Sequence, residues 1–274
     1  MKTQFLKIAT SRALLIVIAL LCVLASCSEE VFDPALVREF KLQSHTNGAM
    51  YTITVGLPSG YDPASQKYAA IYLLDGEEDF NFVANKCRQI SASHSKANAI
   101  VVGIGYGNDR SIDYTPTKIS STTGGAPDFT KFIENQLIPK IEEDFGADTT
   151  RMSRAILGHS YGGLFGAFVF TVRNKLFGNY LLLSPSLWFD NEVTLLLEKD
   201  KRASNKDQQQ LVFLGIGQME NSGRMQAPFE AFYKVLSENY SNTILSRNKE
   251  KDLDHMGSKN PNIINALNYF FDNK

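Results

Sequence analysis

Five residues, Gly158-His159-Ser160-Tyr161-Gly162, follow directly on the short apolar run Ala155-Ile156-Leu157. A strand that enters Gly-x-Ser-x-Gly and leaves as a helix has to turn sharply, and the serine at the apex takes a strained backbone. Glycine is needed two positions to either side, because a Cβ there would collide with the neighbouring strand or helix. Gly163-Leu164-Phe165-Gly166-Ala167-Phe168-Val169-Phe170 then reads as an apolar, small-residue helix that packs close beneath the serine. The motif therefore constrains the fold, the chemistry and the order of two further residues along the chain.

An alkyl hydroxyl is a poor nucleophile at neutral pH and needs a base within hydrogen-bond reach. The base in turn needs a carboxylate to fix its tautomer and to stabilise the imidazolium that forms. In a strand–Ser–helix setting the chain order is Ser, then Asp or Glu, then His. The four histidines are His45, His94, His159 and His255. Two precede Ser160, and His159 sits inside the turn with its side chain expected to diverge from its neighbour's. His255, in the polar stretch Leu253–Ser258, is left as the base. Leu211–Gly217 reads as a buried strand, and Glu220 in the loop after it is the expected acid. Asp190, Glu192, Asp252 and Asp254 compete for that role. The oxyanion site is built from backbone N–H groups, one of them that of Tyr161 and the other from the loop after the strand Ala70–Leu74.

At these residues the chain resembles the esterase family of α/β-hydrolases that includes esterase D-type enzymes, siderophore esterases, feruloyl esterases and the antigen 85 mycolyltransferases. The matching pieces run in order: Val55–Asp62, with its Leu57-Pro58 and Tyr61; Tyr72-Leu73-Leu74-Asp75-Gly76; Arg110–Pro116; and Ser184-Pro185-Ser186-Leu187-Trp188. The resemblance spans residues from about 37 to the C-terminus and is nearest in flavour to the siderophore esterases. It implies that Glu77, after Leu-Asp-Gly, gives the second oxyanion N–H, that Glu220 is the acid and that His255 is the base.

The first residues carry Lys2, Lys7 and Arg12, then the apolar run Ala13–Val23, which is short for a membrane span and reads as a secretory signal. It closes on Leu24-Ala25-Ser26-Cys27, which looks like the lipobox of a bacterial lipoprotein. The expected organisation is a signal peptide at 1–26, a lipidated tether at 27–36 starting with Cys27, and one catalytic domain at 37–274. Membrane association through the N-terminal lipid would place the protein in the bacterial cell envelope, on the periplasmic or the outer face. Cys22 leaves with the signal and Cys27 carries lipid, so Cys87 has no partner for a disulfide. It reads as a buried helix thiol.

Past residue 26 the chain holds 25 basic and 29 acidic residues. No basic patch interleaved with aromatics points to nucleic acid. No His/Cys/Asp group has metal-ligand spacing, and no cofactor is expected. Gly103-Ile104-Gly105-Tyr106-Gly107 follows a strand but opens no helix, so it reads as a flexible loop and not as a dinucleotide site.

Apolar runs and turns alternate, with strands expected near 40–43, 51–57, 70–74, 99–104, 154–157, 180–183, 211–215 and 243–246. Helices are expected near 78–91, 129–144, 164–174, 191–198, 225–239 and 260–271. The central strands are continuously apolar, as a sheet buried on both faces requires. The expected fold is an α/β-hydrolase: a mostly parallel central sheet with helices on both faces, an N-terminal antiparallel hairpin turning at Thr46-Asn47-Gly48, and no cap domain.

The expected function is hydrolysis of a carboxylic ester through Ser160, Glu220 and His255 with an acyl-enzyme. The substrate is small or glycan-linked: a siderophore ester first, a feruloyl or acetyl ester on polysaccharide second. Arg110 is a candidate to meet an anionic or phenolic part of it, or else to pair with Asp113, and Trp188 is a candidate pocket wall. Acyl transfer in place of hydrolysis, and a non-catalytic binding lipoprotein of the same fold, are the rival readings.

Overall fold

A period-2 alternation of apolar side chains feeds two cores, one on each side of a single sheet. In the strand Ala69–Leu73 (β3), Ala70 and Tyr72 join one core while Ile71 and Leu73 join the other. In Asn179–Leu183 (β6), Tyr180 and Leu182 likewise oppose Leu181 and Leu183. Strands buried on both faces are bound to read as unbroken apolar runs. The computed structural model describes residues 31–94 and 98–274. Cys27, the signal segment and the start of the tether lie outside the described residues.

Among the described residues the sheet has eight strands, in the order β1-β2-β4-β3-β5-β6-β7-β8. The remaining strands are Val37–Gln43 (β1), Met50–Gly56 (β2), Ala99–Ile104 (β4), Arg154–His159 (β5), Gln210–Gly217 (β7) and Thr243–Glu250 (β8). β1 and β2 form the expected antiparallel hairpin, with Gly48 in the left-handed region at φ 73° in the turn. β2 is also antiparallel to β4, and every later pairing is parallel. The fold is that of an α/β-hydrolase. All eight strands and all six helices fall where the sequence places them, most of them extended by one or more residues.

Gly76–Ser93 (α1) and Lys259–Asp272 (α7) cover one face through Phe80, Val83, Cys87, Ile263, Leu267 and Phe270. Cys87 is buried there, and burial pushes its thiol up to about 12. The other face carries Ala126–Phe132 (α2), Ile138–Phe145 (α3), Tyr161–Val172 (α4), Phe189–Asn205 (α5) and Ala227–Asn239 (α6).

Two helices differ from expectation, and proline accounts for both. The helix expected at 129–144 is α2 and α3 joined by a widened turn at Ile133–Leu137, directly ahead of Pro139. The helix expected from Met225 starts in a similar widened turn, Ser222–Gln226, ahead of Pro228. A proline ring clashes with the carbonyl four residues back and donates no hydrogen bond, so the turn before it opens to make room. A third helix, α5, starts with three left-handed residues, Asp190, Asn191 and Glu192. The turn Arg110–Asp113 is a further short helical element.

The glycines in the last part of β4 and just after it serve close packing. A Cβ on Gly103 would lie 2.9 Å from the Phe80 ring, one on Gly105 would lie 2.8 Å from Glu77 Oε1, and one on Gly107 would lie 2.7 Å from the Tyr51 ring. The segment expected to be a flexible loop therefore starts inside β4 and packs against α1 and the Tyr51 ring of β2.

A close backbone contact lies at the end of β5. A Cβ on Gly158 would fall 2.5 Å from the Gly162 carbonyl carbon, with backbone on both sides. Gly158→Ala is expected to cost about 1–3 kcal/mol, as overpacked sites do. Urea unfolding of the variant beside the wild type measures it, and an unchanged midpoint would contradict this account of the turn.

Candidate active site

Ser160 sits between β5 and α4 with φ 59° and ψ −115°. Its own N–H donates to Leu183 O at 2.9 Å, and its carbonyl accepts from the N–H of Leu164 at 2.9 Å and of Ser186 at 3.1 Å. The strained residue is thus held by the next strand, by its own helix and by the loop after β6. The Ser160 hydroxyl lies 3.3 Å from that of Ser186.

Glu220 follows β7 and His255 follows β8, so both reach the same end of the sheet as Ser160. His255 Nδ1 donates to Glu220 Oε2 at 2.8 Å. That bond leaves the lone pair on Nε2, the nitrogen a general base uses. The Glu220 side chain is 0% exposed and that of His255 is 35% exposed. Glu220 Oε1 accepts from Ser184 Oγ at 2.6 Å, from the Gly217 N–H at 2.8 Å and from Ser258 Oγ at 3.4 Å. Burial alone would raise this carboxyl; the hydrogen bonds from His255, Ser184 and Gly217 outweigh it and hold the group below the usual glutamate range. Of the competing acids, Asp190 accepts from Thr117 Oγ1 and Asp254 from the Gly257 N–H, and neither bonds His255.

Two first-turn amides lie at the same end of the sheet. Tyr161 opens α4, and Glu77 is the second residue of α1; first-turn N–H groups have no intrahelical acceptor. A Cβ on Gly162 would meet Asp75 Oδ2 at 3.3 Å and Leu74 Cβ at 3.4 Å, so the Ser160 turn rests on the turn that carries Glu77.

Arg110 belongs to this junction. Its Nε and one terminal nitrogen donate to the two Asp75 carboxylate oxygens at 2.7 and 2.8 Å. The expected alternative partner, Asp113, instead accepts from Tyr51 Oη and from Asn108. The reason is geometric: Asp75 sits in the left-handed region at φ 55° at the mouth of α1, and Tyr106 Oη also donates to it at 2.9 Å. Arg110 borders a separate hollow with Glu78 and Tyr106 and does not line the cleft at Ser160.

That cleft has a volume of about 310 Å³ and is lined by Ser160, Ser186, Trp188, Glu220, Asn221, Arg224, Met225 and His255. Trp188 stands in its wall, with Tyr161 and Phe189 as ring neighbours.

Two contributions were not read from the sequence. Ser184 and Ser186 tie the acid and the Ser160 turn together, a role that the Ser-Pro-Ser run does not announce. His159 turns to the loop after β8: its ring centroid is 4.6 Å from that of His255, and its Nε2–H donates to the His255 carbonyl at 3.0 Å. Burial first, and the neighbouring His255 ring second, lower His159 to about 3, so it stays neutral beside the His255 ring.

A strained serine between strand and helix, and a His–Glu pair from later strands lining the same cleft, fit the α/β-hydrolase fold. Residues 44–256 match the family described as Putative esterase, and the chain belongs to that family and is a carboxylic ester hydrolase. It is 31% identical over 222 residues to ferri-bacillibactin esterase BesA of Bacillus subtilis, covering 72% of this chain and 75% of that one. It is 33% identical over 132 residues to the siderophore triacetylfusarinine C esterase of Aspergillus fumigatus, covering 44% of this chain and 45% of that one. Among solved structures, the BES protein from Bacillus cereus superposes with a TM-score of 0.78 at 27% identity, over 89% of this chain and 98% of that one.

A histidine depressed to about 3 binds fewer protons folded than unfolded between that pH and 6.5, so the fold loses stability as pH falls through this window. His159→Gln, which keeps a donor and removes the titration, is expected to flatten the decline between pH 6.5 and about pH 5, above the glutamate range. Chemical denaturation at a series of pH values reads this, and parallel slopes for the two proteins would contradict it.

Proposed function

We propose that the chain hydrolyses a siderophore ester through an acyl-enzyme on Ser160. Ser160 Oγ attacks the ester carbonyl while His255 Nε2 takes its proton. Glu220 keeps the proton on Nδ1 and stabilises the imidazolium. The N–H groups of Tyr161 and Glu77 hold the oxyanion; one such donor is worth about 3–4 kcal/mol. His255 then protonates the departing alcohol, and a water activated by the same nitrogen releases the acid from Ser160.

The observation that carries this reading is the buried Glu220 carboxylate, held by four donors with one oxygen on His255 Nδ1, next to a strained Ser160 in an accessible cleft. A buried charge satisfied this fully persists only when built in, and here it orients a half-exposed imidazole. The substrate class is supported by the siderophore-ester names of two relatives. The apolar leader and the Leu-Ala-Ser-Cys run support anchoring through a lipid on Cys27 in the bacterial cell envelope.

Turnover of 4-nitrophenyl acetate and butyrate is expected for the chain from residue 28. Ser160→Ala and His255→Ala should lower kcat by about 10⁴-fold or more, and Glu220→Ala by less, as in other triads. A fluorophosphonate should label wild-type Ser160. Absence of both turnover and label would favour the binding-protein alternative.

A further inference from the structure

The positive charge facing the cleft is not the one the sequence suggests. Arg110 spends its fork on Asp75. Arg154, Arg173, Arg202 and Arg247 each pair with a glutamate. Arg224 lines the cleft beside Ser160 and His255, and among the described residues no carboxylate lies within ion-pair distance of it. Glu220 does not neutralise it, being buried and bonded to His255, Ser184 and Gly217.

The Arg224 guanidinium is held in place by something other than an anion. Its central carbon lies 3.7 Å from the centre of a Trp188 ring. Its backbone N–H is capped by Asn221 Oδ1 at 2.8 Å in the widened turn before α6. Trp188 is itself half-buried against Tyr161 and Phe189. A guanidinium this close over an indole face loses water from the side that meets the ring, keeps its charge, and has N–H donors left over. Such donors form their strongest bonds to anionic oxygens, and a fork already fixed in direction loses little entropy in doing so.

We propose that Arg224, laid on Trp188, is the anion-reading element of this cleft, and that it takes a carboxylate or phenolate-type oxygen of the ester substrate. This rests on the cleft being the ester site, and it adds that the preferred substrate carries negative charge close to the scissile bond. The stack also gives tryptophan at 188 a purpose: an aliphatic residue would fill the wall but would not hold the guanidinium.

Trp188 is the only tryptophan in the chain, so its fluorescence reports on this pair directly and without any need for turnover. Benzoate and benzamide, matched in shape and different in charge, are titrated against the wild type and Arg224→Gln. Benzoate is expected to give a saturable change that weakens with added salt, and to bind about tenfold more tightly than benzamide, the worth of one charge-assisted hydrogen bond. Arg224→Gln should abolish that preference, and Arg224→Lys should retain part of it. Equal responses to the two probes, or a preference unchanged in Arg224→Gln, would overturn the proposal. A kinetic arm uses 4-nitrophenyl hexanoate beside the mono-4-nitrophenyl ester of adipate. In Arg224→Gln the kcat/KM ratio of anionic to neutral ester should fall about tenfold through KM. An unchanged ratio counts against Arg224, whereas absence of turnover in the wild type counts against the esterase reading, so the two failures are separable.

Discussion

Gly158 and Gly162 touch backbone to backbone, and much of the site depends on that contact. It lets β5 turn into α4 without a loop, which forces Ser160 to φ 59° and presents its hydroxyl at the end of the sheet. Gly163 and Gly166 continue the approach, leaving no room for a Cβ next to Leu183 O or to the Leu182 side chain. The strain at Ser160 is offset by bonds that a relaxed turn would not make, from Ser160 N–H to Leu183 and from Ser186 N–H to Ser160.

The second constraint is electrostatic. A carboxylate with no exposed surface is tolerable only where every oxygen has donors. Glu220 obtains them from Ser184 after β6, from Gly217 at the end of β7, and from His255 and Ser258 after β8. The acid thereby ties together the loops after β6, β7 and β8. Gly217 permits the closest of these approaches, since a Cβ there would lie 2.4 Å from Leu253 O. On the other side of Ser160, the Arg110–Asp75 pair does comparable work between the Arg110 turn and the mouth of α1. Nine-tenths and more of the Asp75 side chain is out of solvent, so this pair is far better protected from screening than an ordinary surface pair.

The strands are plain in the sequence because a strand buried on both faces has no polar position to spare, so β3, β4, β6 and β7 appear as apolar runs of strand length bounded by turns. The Ser160 turn is legible because it is a local steric problem solved within five residues. His255 is singled out by elimination and Glu220 by its position after a strand, and the structure joins the two by a hydrogen bond of 2.8 Å. What stayed hidden was long-range. Arg110 meets Asp75 across 35 residues, and His159 meets the His255 carbonyl across 96. No periodicity encodes such partners; they are set by the strand order that brings the ends of β3, β4, β5 and β8 to one end of the sheet. The widened turns ahead of Pro139 and Pro228 carried a local signal, since a proline just inside a helix constrains the turn before it.

The central claim is that the ester is cleaved by way of Ser160. Its most direct test is rapid-quench mass spectrometry of the chain mixed with a trilactone siderophore, followed by peptide mapping. The account predicts an acyl adduct on the peptide that contains Ser160, appearing before product accumulates and absent from Ser160→Ala, which leaves the lactone intact. Cleavage of the lactone by Ser160→Ala at the wild-type rate, with no adduct on that peptide in either protein, would contradict it.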